Sequence, residues 1–284
     1  MNNFVKRTIT SVVFVAVMLA ATLQHYVFGA VFLLIMMVAM QEFYSITLGA
    51  KFLAARRFAI FTAASSFILL YAHFQYGLSL TYLSLELVLL MLIGCIMVWK
   101  YNIDDIKDYA LVYVPLITIA LPILLTTRIV HIHSGLDSSL VTSAFDGKVL
   151  LSIFAIIWLS DAGAYIVGSA LGQKSGSRKL SPSISPKKSW CGFWGGLISA
   201  LLIALALHFT GILNIGLVHS LILALLVSLA SVMGDLQESM WKRCFNIKDS
   251  GNCIPGHGGM YDRFDSTFVA IPVAFVYLIM MNLI

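Results

Sequence analysis

Residues 231–265 read SVMGDLQESMWKRCFNIKDSGNCIPGHGGMYDRFD and concentrate charge and glycine in a chain that holds little of either elsewhere. Five of the thirteen carboxylates stand here, Asp235, Glu238, Asp249, Asp262 and Asp265, with Lys242, Arg243, Lys248, Arg263 and His257 among them. Long apolar runs flank both ends, and charge beside lipid has to be paired, hydrated or put to use. If the preceding apolar run continues as a helix, Asp235, Glu238, Ser239 and Lys242 recur at i, i+3, i+4 and i+7 and share one face. Gly251, Pro255, Gly256, Gly258 and Gly259 then interrupt any regular element, leaving a loop whose bare N–H groups can approach phosphate. Asp262 and Asp265, spaced i, i+3, open the final apolar run. Hard oxygen ligands, cations and a glycine loop are the parts that magnesium-assisted nucleotide chemistry requires.

A second set lies upstream. The sixth apolar run contains Ser160, Asp161, Gly163, Ala164, Tyr165 and Gly168, and the segment after it reads GQKSGSRKLSPSISPKKSWCGFWGG. An isolated carboxylate within such a run would cost ~2.5–3.5 kcal/mol on insertion scales, so Asp161 must face protein, water or a cation. Ser160, Ala164 and Gly168 form a ladder of small residues suited to close helix packing. Lys179, Lys187 and Lys188 supply positive charge for a triphosphate or a lipid phosphate, and Ser181, Ser183, Ser185 and Ser189 supply hydroxyls. Anionic lipid headgroups are the other ligand that suits such a basic loop.

The runs S-M-W-K-R, K-D-S and P-G-H-G-G-M-Y-D-R-F-D-S resemble, in type and order, the signature of the phosphatidate cytidylyltransferase family, the CDP-diacylglycerol synthases. D-x-G-A-Y-x-x-G and K-L-S-P-x-I-S-P-K-K-S resemble the same family, so two separate stretches of the second half agree. Trp241, where a smaller apolar residue or Phe is expected, and Cys191, where the family usually carries an acidic residue, depart from its pattern. The resemblance implies CTP and phosphatidate as substrates, CDP-diacylglycerol and pyrophosphate as products, and Mg2+ as cofactor, with a second cation allowed. It marks Asp235, Asp262, Ser239, Lys242 and His257 as catalytic candidates, with Asp235 and Asp262 first as metal ligands and Asp265, Asp161 and Asp249 after them. Lys187, Lys188, Arg243, Lys248, Asp249, Arg263 and Asp161 become the substrate-binding candidates. Similar enzymes are dimeric, so the resemblance allows a homodimer, while the sequence itself leaves the oligomeric state open.

The elements that must position these residues are membrane helices. With 60% hydrophobic and 11% charged residues over 284 positions, the chain falls outside the range of soluble domains, where about a quarter of residues are charged. Apolar runs at 8–23, 26–41, 58–73, 78–99, 109–126, 148–171, 191–209, 215–233 and 267–284 approach the ~20 residues that a crossing needs. An all-α integral membrane protein of about nine transmembrane helices follows, read as one polytopic domain, with 1–147 mainly scaffold and 148–284 carrying the motifs. The first two runs are parted only by Gln24 and His25, which predicts a tight helical hairpin, since one helix spanning both would overshoot the hydrocarbon core.

Nine crossings put the termini on opposite sides, and the basic residues then sort themselves. Only Arg128 and Lys148 fall opposite the N-terminus; the other sixteen of the eighteen Lys and Arg share its side. The positive-inside rule makes that side cytoplasmic, leaves the C-terminus outside, and puts both motif loops on the cytoplasmic face of a bacterial inner membrane. A net charge of +5 would suit nucleic acid, yet its placement speaks for membrane orientation, with membrane lipid and no nucleic acid as partner. Cys95, Cys191, Cys244 and Cys253 lack CxxC spacing, so neither a zinc site nor a disulfide framework is indicated. His131-x-His133 offers two metal donors but no third nearby, and a solvated loop accounts for it. Glu86 is read as a buried hydrogen-bonding group.

Two rival functions stay open at this level. One is another lipid-phosphate nucleotidyltransferase or a polyprenol kinase of similar plan. The other is a cation-coupled transporter, which would use the intramembrane Asp161 and broken helices. Walker A, GxSxG and HExxH are absent, as is the D-x-x-D-G-x-x-A-R pattern of CDP-alcohol phosphotransferases.

Overall fold

The computed structural model describes residues 3–101, 106–132, 144–174, 177–254 and 258–284. Among them eight helices are long and apolar enough to cross a membrane, and a shorter apolar stretch, Thr8–Leu23, precedes them. This is the architecture of an all-α integral membrane protein, and each of the nine apolar runs has become helix. The chain divides into two compact units, one of Met1–Gly147 and Asp249–Arg263, the other of Lys148–Lys248 and Phe264–Ile284.

The first unit begins with α1 (Asn3–Leu23) and α2 (His25–Thr47). The expected hairpin break falls at Gln24, whose side chain accepts from the Val27 N–H at 2.8 Å and so caps α2. Helix α3 (Leu53–Tyr76) ends on Gly77 at φ 73°, a left-handed C-cap that glycine adopts without strain. Helix α4 (Ser84–Lys100) follows a short 3-10 turn, and its Glu86 accepts from Ser65 Oγ at 3.2 Å and Ser66 Oγ at 3.0 Å on α3. A buried hydrogen-bonding role for Glu86 is what the sequence predicts. Helices α5 (Ile106–Pro115) and α6 (Leu121–Ile129) are joined through a π turn at Leu116–Ala120, bracketed by Pro115 and Pro122, which disturb the regular hydrogen-bond ladder. Beyond α6, β1 (His131–Ile132) pairs antiparallel with β2 (Ala144–Phe145). His131 is buried there, with Nδ1 2.5 Å from the Thr127 carbonyl and Nε2 3.0 Å from Gln75 Oε1, so its ring is occupied by hydrogen bonds. His133 lies outside the described residues.

The second unit contains α7 (Lys148–Ala170), the hairpin of β3 (Lys179–Ser181) and β4 (Ser185–Ser189), α8 (Trp190–Phe209), α9 (Leu217–Cys244) and most of α10 (Tyr261–Met280). The small-residue ladder on α7 meets glycines of α8. A Cβ on Gly192 would stand 2.9 Å from the Ala164 carbonyl, and one on Gly196 would stand 3.0 Å from the Ser160 carbonyl. Only glycine lets the two backbones come that close, which is how small residues drive helix association in lipid. The β3–β4 hairpin is a finding beyond the all-α reading, because its prolines and serines read as loop. It is tied to the end of α7 by Lys179 Nζ, which donates to the Gly172 carbonyl and to Gln173 Oε1, each at 2.9 Å. Ser189 closes the hairpin and caps α8 by accepting from the Gly192 N–H at 3.2 Å.

Candidate active site

In the second unit, α9 runs unbroken past the apolar run to Cys244, so Asp235, Glu238, Ser239 and Lys242 do share a helical face. Gly234 then decides what they meet. A Cβ at this position would lie 2.5 Å from the Asp265 carbonyl and 2.9 Å from the Ser266 Cα, so α9 touches the backbone of α10 there. That approach brings one oxygen each of Asp235, Glu238 and Asp265 within 4.8 Å of one another. Three carboxylates of this kind repel unless cations answer them. Lys188 Nζ, from β4, stands 2.5 Å from Asp235 Oδ2, and Lys242 Nζ stands 2.6 Å from Glu238 Oε2. Glu238 is only 2% exposed, so its pairing is a desolvated one, costly to break by removing one partner.

Around this group Ser239 Oγ donates to Asp235 Oδ1 at 3.4 Å, and the Ser266 N–H donates to Asp265 Oδ1 at 2.6 Å. Asp161, on α7, stays accessible and accepts from Ser231 Oγ at 3.4 Å. A neighbouring hydroxyl pair, Ser160 Oγ and Ser228 Oγ at 2.9 Å, continues the polar track between α7 and α9. Arg243 Nε reaches the Ile184 carbonyl of the hairpin at 3.4 Å. Lys187 and Lys248 are exposed. Lys179 and Ser189, read from sequence as phosphate contacts, serve in this structure as ties and caps of the helix ends.

In the first unit the two described sides of the glycine-rich stretch pair with each other. Ile254 and Gly258 form an antiparallel bridge, with the Ile254 N–H donating to the Gly258 carbonyl at 3.0 Å. Asp262 closes the two arms: Oδ2 accepts from the Ser250 N–H at 2.9 Å and from the Gly259 N–H at 2.8 Å. The carboxylate thereby answers N–H groups before the start of α10, as an acidic residue in a first helical turn does. From α2, Glu42 Oε2 accepts from the Tyr261 N–H at 2.8 Å and from Ser250 Oγ at 3.4 Å. These N–H groups of Ser250, Gly259 and Tyr261 are therefore turned to carboxylates rather than offered to a phosphate. Asp249 and Arg263 are exposed at the two ends of the stretch. His257, with Pro255 and Gly256, lies outside the described residues.

The structure thus brings Asp235, Asp265, Asp161, Ser239, Lys242 and Lys188 together in one unit, and gives Asp262 a loop-closing role in the other. Two carboxylates gain a part here that the sequence does not assign them. Glu238 is placed by its spacing on the helical face of Asp235 and Lys242, and the structure adds its place in the cluster. Glu42 carries no local signal beyond being acidic at the end of an apolar run. The oxygen donors of Asp235, Glu238 and Asp265 fit a hard divalent cation such as Mg2+, which binds carboxylates and keeps several waters.

Residues 5–281 match the model of the cytidylyltransferase family, nearly the whole chain. The chain is similar to a phosphatidate cytidylyltransferase of Haemophilus influenzae, with 45% identity over 128 residues that cover 44% of this chain and 43% of that protein. One from Staphylococcus saprophyticus is 40% identical over 130 residues, covering 46% and 48%. One from Bacillus subtilis is 40% identical over 125 residues, covering 44% of each. The matched stretches span under half the length of these relatives.

Proposed function

This chain belongs to the cytidylyltransferase family, and from that premise we propose that it joins CTP to phosphatidate, releasing CDP-diacylglycerol and pyrophosphate. The observation that carries the reading is the cluster of Asp235, Glu238 and Asp265 with Lys188 on its edge, built from both stretches that resemble the family. A phosphate oxygen of phosphatidate attacks the α-phosphorus of CTP, and the bond from that phosphorus to the bridging oxygen breaks as pyrophosphate leaves. No protein nucleophile is needed, so catalysis rests on positioning and on electrostatic stabilisation. When bound at Asp235, Glu238 and Asp265, Mg2+ would neutralise phosphate charge.

The chain's own residues have the following parts in this proposal. Lys188 and Lys242 hold carboxylates now and sit where an incoming phosphate would draw an ammonium. Ser239 orients Asp235, and Asp161 orders polar groups beside it. Lys187, Arg243 and Lys248 are exposed cations suited to phosphate, and the resemblance carries Asp249 and Arg263 over as substrate contacts. The partition of Lys and Arg favours an active site facing the cytoplasm, at a bacterial inner membrane, and a reporter in 172–190 should then lie opposite one fused after Ile284.

The experiment is turnover by purified, detergent-solubilised protein. CTP consumption that requires phosphatidate and is not matched by other nucleotides or by a polyprenol acceptor supports the proposal. Activity with polyprenol in place of phosphatidate would replace it with the kinase-like rival. Absence of any turnover in folded protein, where no gradient can exist, would favour the transporter.

A further inference from the structure

Glu42 lies more than two hundred positions from the loop it touches, on a helix that carries none of the motif residues. One of its oxygens spans both arms of that loop, taking the Tyr261 N–H at 2.8 Å and Ser250 Oγ at 3.4 Å. Asp262 spans the same two arms from the other side, through the N–H groups of Ser250 and Gly259. Two glycines record how closely the arms pack on Glu42. A Cβ on Gly251 would stand 2.5 Å from Glu42 Oε1, 2.9 Å from its Cδ and 3.2 Å from its Cγ, and a Cβ on Gly259 would stand 2.5 Å from Oε2. Neither glycine has positive φ, which among the described loop glycines is confined to Gly258. Their lack of a side chain therefore answers a need for room and not for an unusual backbone, and the object that fills the room is the carboxylate of Glu42. The adjacent Phe43 ring meets Tyr261 edge-on at 5.9 Å, fixing the side of α2 from which Glu42 reaches the loop.

We infer that Glu42 is a positioning residue for the reaction: through one carboxylate oxygen it holds the two arms, residues 250–254 and 258–261, in the paired arrangement that flanks Asp249 and Arg263. It rests on the function proposed above for what the loop serves, and on the geometry alone for the hold itself. A loop populated in its competent form only a fraction of the time weakens apparent binding by that fraction, so the signature is a KM effect rather than a loss of the chemical step. Because hydrogen-bond acceptance is what the contact needs, a neutral amide serves where a methyl does not.

The test uses the full-length purified protein and the variants Glu42→Ala, Glu42→Gln, Gly251→Ala and the double variant Glu42→Ala/Gly251→Ala. Glu42→Ala should raise KM for CTP about tenfold with kcat within about threefold, while Glu42→Gln stays within about threefold of wild type in both. Gly251→Ala, which pushes on the carboxylate from the loop side, should reproduce the KM defect, and the double variant should be no worse than either single one. Hydrogen exchange at the Ser250, Gly259 and Tyr261 amides should quicken about tenfold in Glu42→Ala and stay near wild type in Glu42→Gln. Wild-type KM and exchange in Glu42→Ala would overturn the inference, as would a Glu42→Gln protein as impaired as Glu42→Ala. Should Glu42→Ala not fold, Gly251→Ala decides, and normal KM and exchange there would overturn it. If wild-type protein turns over no CTP, the functional reading falls, and the exchange arm still decides the role of Glu42.

Discussion

Gly234 rests on the backbone of Asp265, so close that a Cβ at 234 would come to 2.5 Å from the Asp265 carbonyl oxygen. The residue after it is Asp235, so the same contact that joins α9 to α10 sets the spacing of two carboxylates. Gly234→Ala must push the helices apart there, and displacements of about 1 Å cost catalysis up to about a hundredfold. We expect the purified variant to fold and to lose tenfold or more in kcat/KM, about 1.4 kcal/mol or more of transition-state binding. Full activity in Gly234→Ala would show that the helix contact does not position the cluster.

The Lys188 ammonium stands against Asp235 at 2.5 Å, whereas Lys174, in the same basic segment, is exposed. If Lys188 grips a substrate phosphate, Lys188→Ala should lower kcat/KM by about tenfold or more, the scale of a charge-assisted hydrogen bond. Lys174→Ala should change it less than about twofold, as expected of a side chain at a solvated or headgroup surface. Equal small losses in both would reduce the segment to adhesion to anionic lipid.

Asp235→Asn and Asp265→Asn each keep shape and remove one negative charge from the cluster of three. Loss of about a hundredfold in turnover, ~2.7 kcal/mol of barrier, together with a raised Mg2+ requirement is the expected result. Turnover titrated against Mg2+ at saturating substrate measures both. Normal activity and an unchanged Mg2+ requirement in folded Asp235→Asn would remove the metal assignment.

Burial holds the His131 imidazole below its usual pKa, and the nearby Arg128 and His25 act in the same direction while the Thr127 carbonyl opposes. A histidine whose folded pKa is depressed is neutral in the fold, so its contribution is present above the unfolded value of about 6.5 and is lost as pH falls through the folded one. Melting of wild-type protein should therefore drop between about pH 8 and about pH 5.5 by more than melting of His131→Phe does. Parallel curves for the two proteins would contradict that linkage.

How much of this was legible beforehand follows from the range of each signal. The Asp235, Glu238, Ser239 and Lys242 face depends on helical period alone, and the α1–α2 break on two polar residues between apolar runs, so both could be read locally. The ladder of Ser160, Ala164 and Gly168 announced a close helix contact, and α8 supplies it through Gly192 and Gly196. The rest needed three dimensions. Gly234 looks like any helical glycine until Asp265 is placed against it, and Glu42 has no neighbour in sequence that hints at Ser250 or Tyr261. Lys179 and Lys188 read alike as basic loop residues, yet one ties the end of α7 and the other meets Asp235. The glycine loop invited a phosphate reading, but the N–H groups of Ser250, Gly259 and Tyr261 are turned to Asp262 and Glu42.

In the proposed reaction the cytidylyl group, and not the terminal phosphoryl group, passes to phosphatidate. Purified protein, phosphatidate and Mg2+ are incubated with CTP labelled either at the α-phosphorus or at the γ-phosphorus, and the lipid and aqueous fractions are counted separately. Cytidylyl transfer places the α-label in a lipid product that co-migrates with CDP-diacylglycerol, and the γ-label in aqueous pyrophosphate. Label from the γ-position in the lipid fraction, with α-label left on free CDP, would contradict it and make the protein a kinase.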